Sequence, residues 1–134
     1  MEAKELLKRV PLFSDLDDRE RAEIASAMKQ RTFSAGQSIA VEGESGVGFF
    51  VIEDGAAKVT VHGDEVRTLG PGDYFGEVAL ITQGPRTATV TADTDLKTYG
   101  MTFWDFRPLV EETPSLAWKL LQSAVKQYDQ SSQQ

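Results

Sequence analysis

Two short runs hold the residues with the clearest chemistry: Phe75-Gly76-Glu77-Val78-Ala79-Leu80 and, after five intervening residues, Arg86-Thr87-Ala88. Gly76 stands just before a helix-forming stretch, where unpaired backbone N–H groups and the positive end of the peptide dipoles favour an anion. Arg86 adds a full positive charge on a mobile stem. Glu77 would repel an anion, so a carboxylate here is better suited to accepting hydrogen bonds from paired hydroxyls, such as a ribose edge. The combination predicts a pocket for a small anionic sugar phosphate. Taken singly, the same residues have plainer roles: Glu77 as an exposed acid at a helix N-terminus, Arg86 as a solvated charge, Gly76 as a turn residue, Thr87 as a strand residue. Their spacing is what joins them.

The elements that position these residues are expected to form a single domain spanning 1–134, since a chain of this length buries roughly two thirds of its unfolded surface around one core. With 14 basic and 21 acidic residues the formal charge is −7, which disfavours nucleic acid or an anionic membrane as the main partner. A small anionic ligand remains compatible, because one arginine and a helix terminus act locally. There is no cysteine, which excludes disulfides, thiol catalysis and cysteine metal sites and suits a reducing compartment. Met1 to Val10 is charged throughout, without the apolar core of a signal peptide, and no apolar run approaches ~18 residues. A soluble, cytoplasmic protein with no membrane partner is expected.

Residues 1–30 read as a helical part: Leu6, Leu7, Val10, Leu12, Phe13 and Leu16 open it, and a helix from about Asp17 to Gln30 follows with Ile24, Ala27 and Met28 on one face. From 31 to 100, short segments rich in Val, Ile, Thr, Phe and Tyr are cut by glycines, which predicts many short strands. Asp54-Gly55, a type I′ dipeptide, and His62-Gly63-Asp64 read as hairpins, and Pro71-Gly72-Asp73 as a tight turn. The fold class is therefore mainly β with flanking helices, a sandwich or jelly-roll barrel interrupted by a short helix at residues 76–80. Val61, Leu69 and Val78 are expected in the core, with the apolar pocket wall as their second role. His62 is the only histidine and is expected to be exposed. Over 101–130 the helix period returns. Trp104, Leu109 and Val110 lie in a helix that stops before Pro114. The last helix starts near Pro114, with Thr113 as cap, and bears a stripe of Leu116, Leu120, Leu121, Ala124, Val125 and Tyr128. Trp118 is expected to pack, and 131–134 to form a polar tail.

Both opening runs, continued by Thr89-Val90, are similar at every defining position to the phosphate-binding cassette (75–88) of cyclic nucleotide-binding domains. Gly43-Glu44-Ser45-Gly46, then Phe49-Phe50-Val51-Ile52 and Gly55, looks like that family's first barrel signature. The chain thus resembles this family, which includes the regulatory domains of catabolite activator protein and protein kinase A, over roughly residues 12–130. Ala40 departs from it, in a place where a larger apolar residue or cysteine is more usual. The resemblance implies a jelly-roll β-barrel (double-stranded β-helix) with N-terminal helices, a cassette helix and C-terminal lid helices. It implies cyclic AMP or cyclic GMP as ligand, with Glu77 accepting the ribose 2′-hydroxyl and Arg86 pairing with the phosphate. Backbone N–H groups near Gly76, Ala79 and Thr87 would complete the phosphate cradle, with Phe75, Val78, Ala88, Val61 and Leu69 also at the ligand. The Thr87 hydroxyl would reach a phosphate oxygen or the amino group of a syn guanine. Trp118 or Tyr128 would cap the base, and Ser131 and Ser132 would meet the adenine amino group unless they belong to a frayed tail.

The function expected is a sensor, standing alone or within a larger protein, that favours cyclic AMP over cyclic GMP and reports occupancy by moving the last helix. An orphan interaction or dimerisation domain of the same fold is the alternative. A DNA-binding regulator would need a helix-turn-helix after the closing helix, so DNA binding by this chain alone is not expected. A cupin-like enzyme would need several histidines around a metal, against one here. No metal, other cofactor or catalysis is expected. The stripe on the last helix suits either a homodimer or packing on its own barrel, and the downstream effector stays open.

Overall fold

In the computed structural model the described residues are 1–46, 48–82 and 84–132, with backbone alone for residues 130–132. Three short helices come first: α1 (Ala3–Leu7), α2 (Pro11–Ser14) and α3 (Asp18–Ser26). Eight strands follow, β1 (Lys29–Phe33), β2 (Ser38–Ala40), β3 (Gly48–Asp54), β4 (Ala57–Val61), β5 (Asp64–Leu69), β6 (Tyr74–Phe75), β7 (Thr89–Ala92) and β8 (Leu96–Thr102). A 3-10 helix, Glu77–Leu80, separates β6 from β7, and α4 (Phe103–Glu112) and α5 (Pro114–Ser132) close the chain.

The strands form two antiparallel four-stranded sheets, ordered β1-β8-β3-β6 and β2-β7-β4-β5. The jelly-roll fold expected from the sequence is present as two facing sheets, not as a closed barrel. β3 explains the layering. Successive side chains of a strand point to opposite faces, and Phe49 and Val51 join a cluster with the helices while Ile52 and Phe50 join the cluster between the sheets. A strand apolar on both faces must be central, and β3 pairs with both β6 and β8.

That pairing corrects one expectation. Asp54-Gly55 is not a hairpin turn, because β3 and β4 lie in different sheets and the dipeptide carries the chain across between them. The type I′ geometry occurs at His62-Gly63 instead: both residues have positive φ (52° and 83°), and they join the paired residues Val61 and Asp64. Pro71-Gly72 sits in the expected tight turn, with the Asp73 N–H donating to the Gly70 carbonyl at 3.0 Å.

Helix α3 is shorter than its periodicity suggested. Its start is fixed by a capping box, in which Asp17 Oδ1 accepts from the Glu20 N–H and Glu20 Oε1 accepts from the Asp17 N–H. Its end comes early because Lys29 and Gln30 pair with Gly100 and Tyr99 of β8. At the other terminus α5 runs through Ser132, so residues 131 and 132 continue the helix and are not a separate tail. The Thr113 carbonyl accepts the N–H groups of Leu116 and Ala117 at its start. Leu116 and Leu120 are buried among the N-terminal helices. Trp118, expected to pack, is 61% exposed, and Leu121, Val125 and Tyr128 are exposed beside it. No helix among the described residues is long and apolar enough to cross a membrane.

Candidate functional site

A cavity of about 460 Å³ opens between the 3-10 helix, the segment from Gly84 to Ala88 and the sheet containing β4, β5 and β7. This lies in the usual size range for small-molecule sites. Its entrance turn depends on Gly76, which caps the 3-10 helix at φ 85°. The position is closed to other residues twice over: positive φ strains an L side chain, and a Cβ would collide with the Gly48 carbonyl and the Arg86 guanidinium. Glu77 begins the helix and lines the cavity, half-buried. The first N–H groups of any helix lack partners within it. The Ala79 N–H is already taken, however, since it donates to the Gly76 carbonyl at 3.0 Å.

Arg86 is held from two directions. Its backbone is zipped to the loop 43–46, where the Arg86 N–H donates to the Glu44 carbonyl at 2.8 Å and the Gly43 N–H to the Arg86 carbonyl at 2.9 Å. Its side chain then runs over Gly46, where a Cβ would strike Nε, and Nη2 donates to the Gly48 carbonyl at 2.6 Å. The Nε–H is buried and has no acceptor among the described residues. Burial holds the Arg86 pKa below its ordinary value, and the negative Glu77 opposes that shift. Arginine stays charged throughout. The loop 43–46 and the cassette are therefore one device, in which small residues leave the space that the guanidinium fills.

Of the ten residues expected at the ligand, Leu69, Phe75, Gly76, Glu77, Val78, Ala79, Arg86, Thr87 and Ala88 line the cavity. Phe75 is buried and stacks on Phe50 with ring centroids 5.3 Å apart, which anchors the strand leading into Gly76. Val61 does not line it. The register of β4 against β5 shifts between Val59 and Thr60, and Val59 forms the wall instead. Val78 lines the mouth but is 63% exposed and so is no core residue. Arg67, Asp73 and Tyr74 also line the cavity and were missed. The period-two rule from Leu69 back to Arg67 was the available signal, masked because every β5 residue before Leu69 is exposed. Burial raises the Tyr74 pKa, helped by negative Glu77 and Asp73 and opposed by Arg67.

Neither Trp118 nor Tyr128 lines the cavity, and both are exposed. The Ser131 and Ser132 side chains lie outside the described residues. His62 is exposed as expected, and its Nδ1 lies 3.2 Å from Glu42 Oε2. No group of three His, Cys, Asp or Glu able to hold a metal occurs among the described residues. The site thus offers the half-buried Arg86 and the exposed Arg67, the carboxylates of Glu77 and Asp73, and an apolar wall of Val59, Leu69 and Val90.

Residues 30–113 match the profile of the cyclic nucleotide-binding domain family. The cAMP-dependent protein kinase regulatory subunit of Yarrowia lipolytica is 48% identical over 93 residues, covering 68% of this chain and 25% of that protein. The chain therefore spans about a quarter of that relative's length. The N-terminal domain of a transcriptional regulator from Streptomyces coelicolor A3(2) superposes with a TM-score of 0.87 at 30% identity, over 96% of this chain and 93% of that one. The regulatory domain of Toxoplasma gondii PKA with cAMP gives 0.72 at 28% identity, over 82% and 44%. With the cassette residues assembled on this fold and a profile match across more than half its length, the chain belongs to the cyclic nucleotide-binding domain family.

Proposed function

We propose that the cavity binds a cyclic nucleotide, cyclic AMP in preference to cyclic GMP, and that the chain is a binding and reporting module in the cytoplasm with no turnover of its ligand. The observation that carries this reading is that Arg86, its guanidinium fixed by the Gly48 carbonyl, lines the same cavity as Glu77. A phosphate oxygen pairs with the Arg86 guanidinium, and a ribose 2′-hydroxyl supplies a donor to Glu77. The preference for cyclic AMP draws support from the similar regulatory domain solved with cAMP and from the relative that is a cAMP-dependent kinase regulatory subunit. By the same likeness, a kinase catalytic chain is the first effector to test.

Reporting follows from the contacts of the 3-10 helix. It packs on β3 and on α4, and α4 packs on α5. A phosphate drawn in by Gly76 and Arg86 repositions the 3-10 helix and, through α4, the last helix. The ligand shifts that equilibrium only by its preference for one arrangement. Titration calorimetry with cyclic AMP, cyclic GMP and linear AMP tests the site: cyclic AMP is expected to bind most tightly and the linear form weakly, and equal affinity for cyclic and linear forms would overturn the reading. Ligand-dependent hydrogen exchange across 104–130 tests the movement. A second reading, a homodimer through α5, is favoured by the exposed Trp118, Leu121, Val125 and Tyr128, and sedimentation equilibrium checks it.

A further inference from the structure

Among the described residues, none from α4 or α5 lines the cavity. Instead α5 lies against the N-terminal helices: it packs on α2, and Leu116 and Leu120 are buried in the cluster formed with Leu12, Phe13 and Leu16. Two ion pairs reinforce that placement. Lys119 Nζ donates to Glu20 Oε1 at 2.8 Å, and Lys126 Nζ lies 3.7 Å from Asp15 Oδ2.

The first pair is better built than an ordinary surface pair. Glu20 Oε1 also accepts the Asp17 N–H at 3.0 Å, and the Glu20 side chain is only 15% exposed. The capping box has therefore already ordered the carboxylate that Lys119 meets. The Glu20 hydrogen bond raises the Lys119 pKa, and the nearby charges of Glu20 and Asp17 add to it. Farther along α5, the buried Gln127 Nε2 has no hydrogen-bond partner among the described residues.

We propose that the Glu20–Lys119 and Asp15–Lys126 pairs form an electrostatic latch that parks α5 on the N-terminal helices, clear of the cavity, and thereby weakens ligand binding. The inference rests on the cyclic-nucleotide reading of the cavity and on movement of α5 with occupancy. A ligand that binds best with α5 displaced meets only the unlatched fraction of molecules, so its apparent affinity is reduced by that fraction. Exposed pairs of this type shift an equilibrium about 1.4- to 5-fold.

Glu20→Gln tests the latch cleanly, because glutamine keeps an acceptor for the Asp17 N–H and so preserves the cap. Lys119→Met keeps the aliphatic stem. Each is expected to tighten cyclic AMP binding by about two- to fivefold in calorimetry and to speed amide exchange across 114–129 in the ligand-free protein. The double variant should do no more than either single, since both remove the same pair. Unchanged or weaker cyclic AMP affinity in both single variants overturns the proposal, as does full additivity in the double. If the unaltered protein binds no cyclic AMP, the cyclic-nucleotide reading is what fails. The ligand-free exchange then still decides the latch: faster exchange in Glu20→Gln supports it, and unchanged exchange overturns it.

Discussion

The cluster between the two sheets and the cluster beneath the helices share β3 but are enclosed in different ways. Around Ile52, Leu69, Phe75 and Val90 the walls are sheet ladders, and backbone hydrogen bonds fix the positions of the side chains. Around Phe13, Ile24, Phe49 and Leu116 the walls are helices joined by side-chain packing, and α1 and α2 have no side-chain cap. Ladders hold a geometry, whereas packed helices can slide or part at lower cost. The half that recognises a ligand is built on the first kind of wall, and the half proposed to report occupancy is built on the second.

The largest effects should separate the two halves directly. Ile52→Ala and Leu116→Ala each empty a fully buried site, at about 2–5 kcal/mol. In urea unfolding, Ile52→Ala is expected to lower the stability of the whole domain. In Leu116→Ala, amide exchange should rise in α5 before it rises in β3 and β8. Equal acceleration in α5 and both sheets would break the comparison.

Next in size are Arg86 and Glu77 at the cavity. Arg86→Ala removes a charge-assisted contact of about 1.5–3 kcal/mol and should weaken cyclic AMP binding by roughly tenfold to 150-fold. Glu77→Gln should erase most of the discrimination between cyclic AMP and its 2′-deoxy analogue. Unchanged calorimetric affinity in Arg86→Ala would remove the arginine from the site.

A pair of glycines sharpens the role of the cavity backbone. Gly63 and Gly76 have nearly equal φ, 83° and 85°. Alanine therefore costs each about 1–2 kcal/mol of backbone strain. A Cβ at Gly63 meets nothing within 4 Å, whereas at Gly76 it strikes the Gly48 carbonyl and Arg86. Gly63→Ala should lower the melting temperature and leave affinity alone, while Gly76→Ala should impair both.

The smallest effect belongs to the helical half. Hydrogen bonding to Arg21, then the charge of Lys8, holds the Asp18 carboxyl below 3.8. A carboxyl depressed in the folded state adds stability above its unfolded pKa and loses it as pH falls through the folded value. Melting temperatures of the unaltered protein and Asp18→Asn should therefore differ slightly near neutrality and converge well below pH 3.8. A constant gap across that range would show that the charge contributes nothing.

Much of the site was legible in the chain because its key steps are local. Gly76, Glu77 and the following turn lie within one short segment, and glycines mark where backbone and guanidinium approach. The errors came where distant segments compete for one residue. Asp54-Gly55 has hairpin chemistry, yet β3 is claimed on both edges by β6 and β8. Val61 follows the wall residue Val59 by two, yet a register shift intervenes. Trp118 looks like a packing residue, yet α5 turns its Leu116 and Leu120 face inward and leaves the indole in solvent.

By itself the sequence determined the strand-rich middle, the helical ends and the cassette, since turn chemistry, hydrophobic period and short-range spacing act through neighbouring residues. Only the tertiary structure decided that loop 43–46 grips Arg86, that Arg67, Asp73 and Tyr74 share its cavity, and that α5 rests on Glu20 and Asp15. Those outcomes depend on which distant surfaces exclude water together, and packing settles that for the whole chain at once.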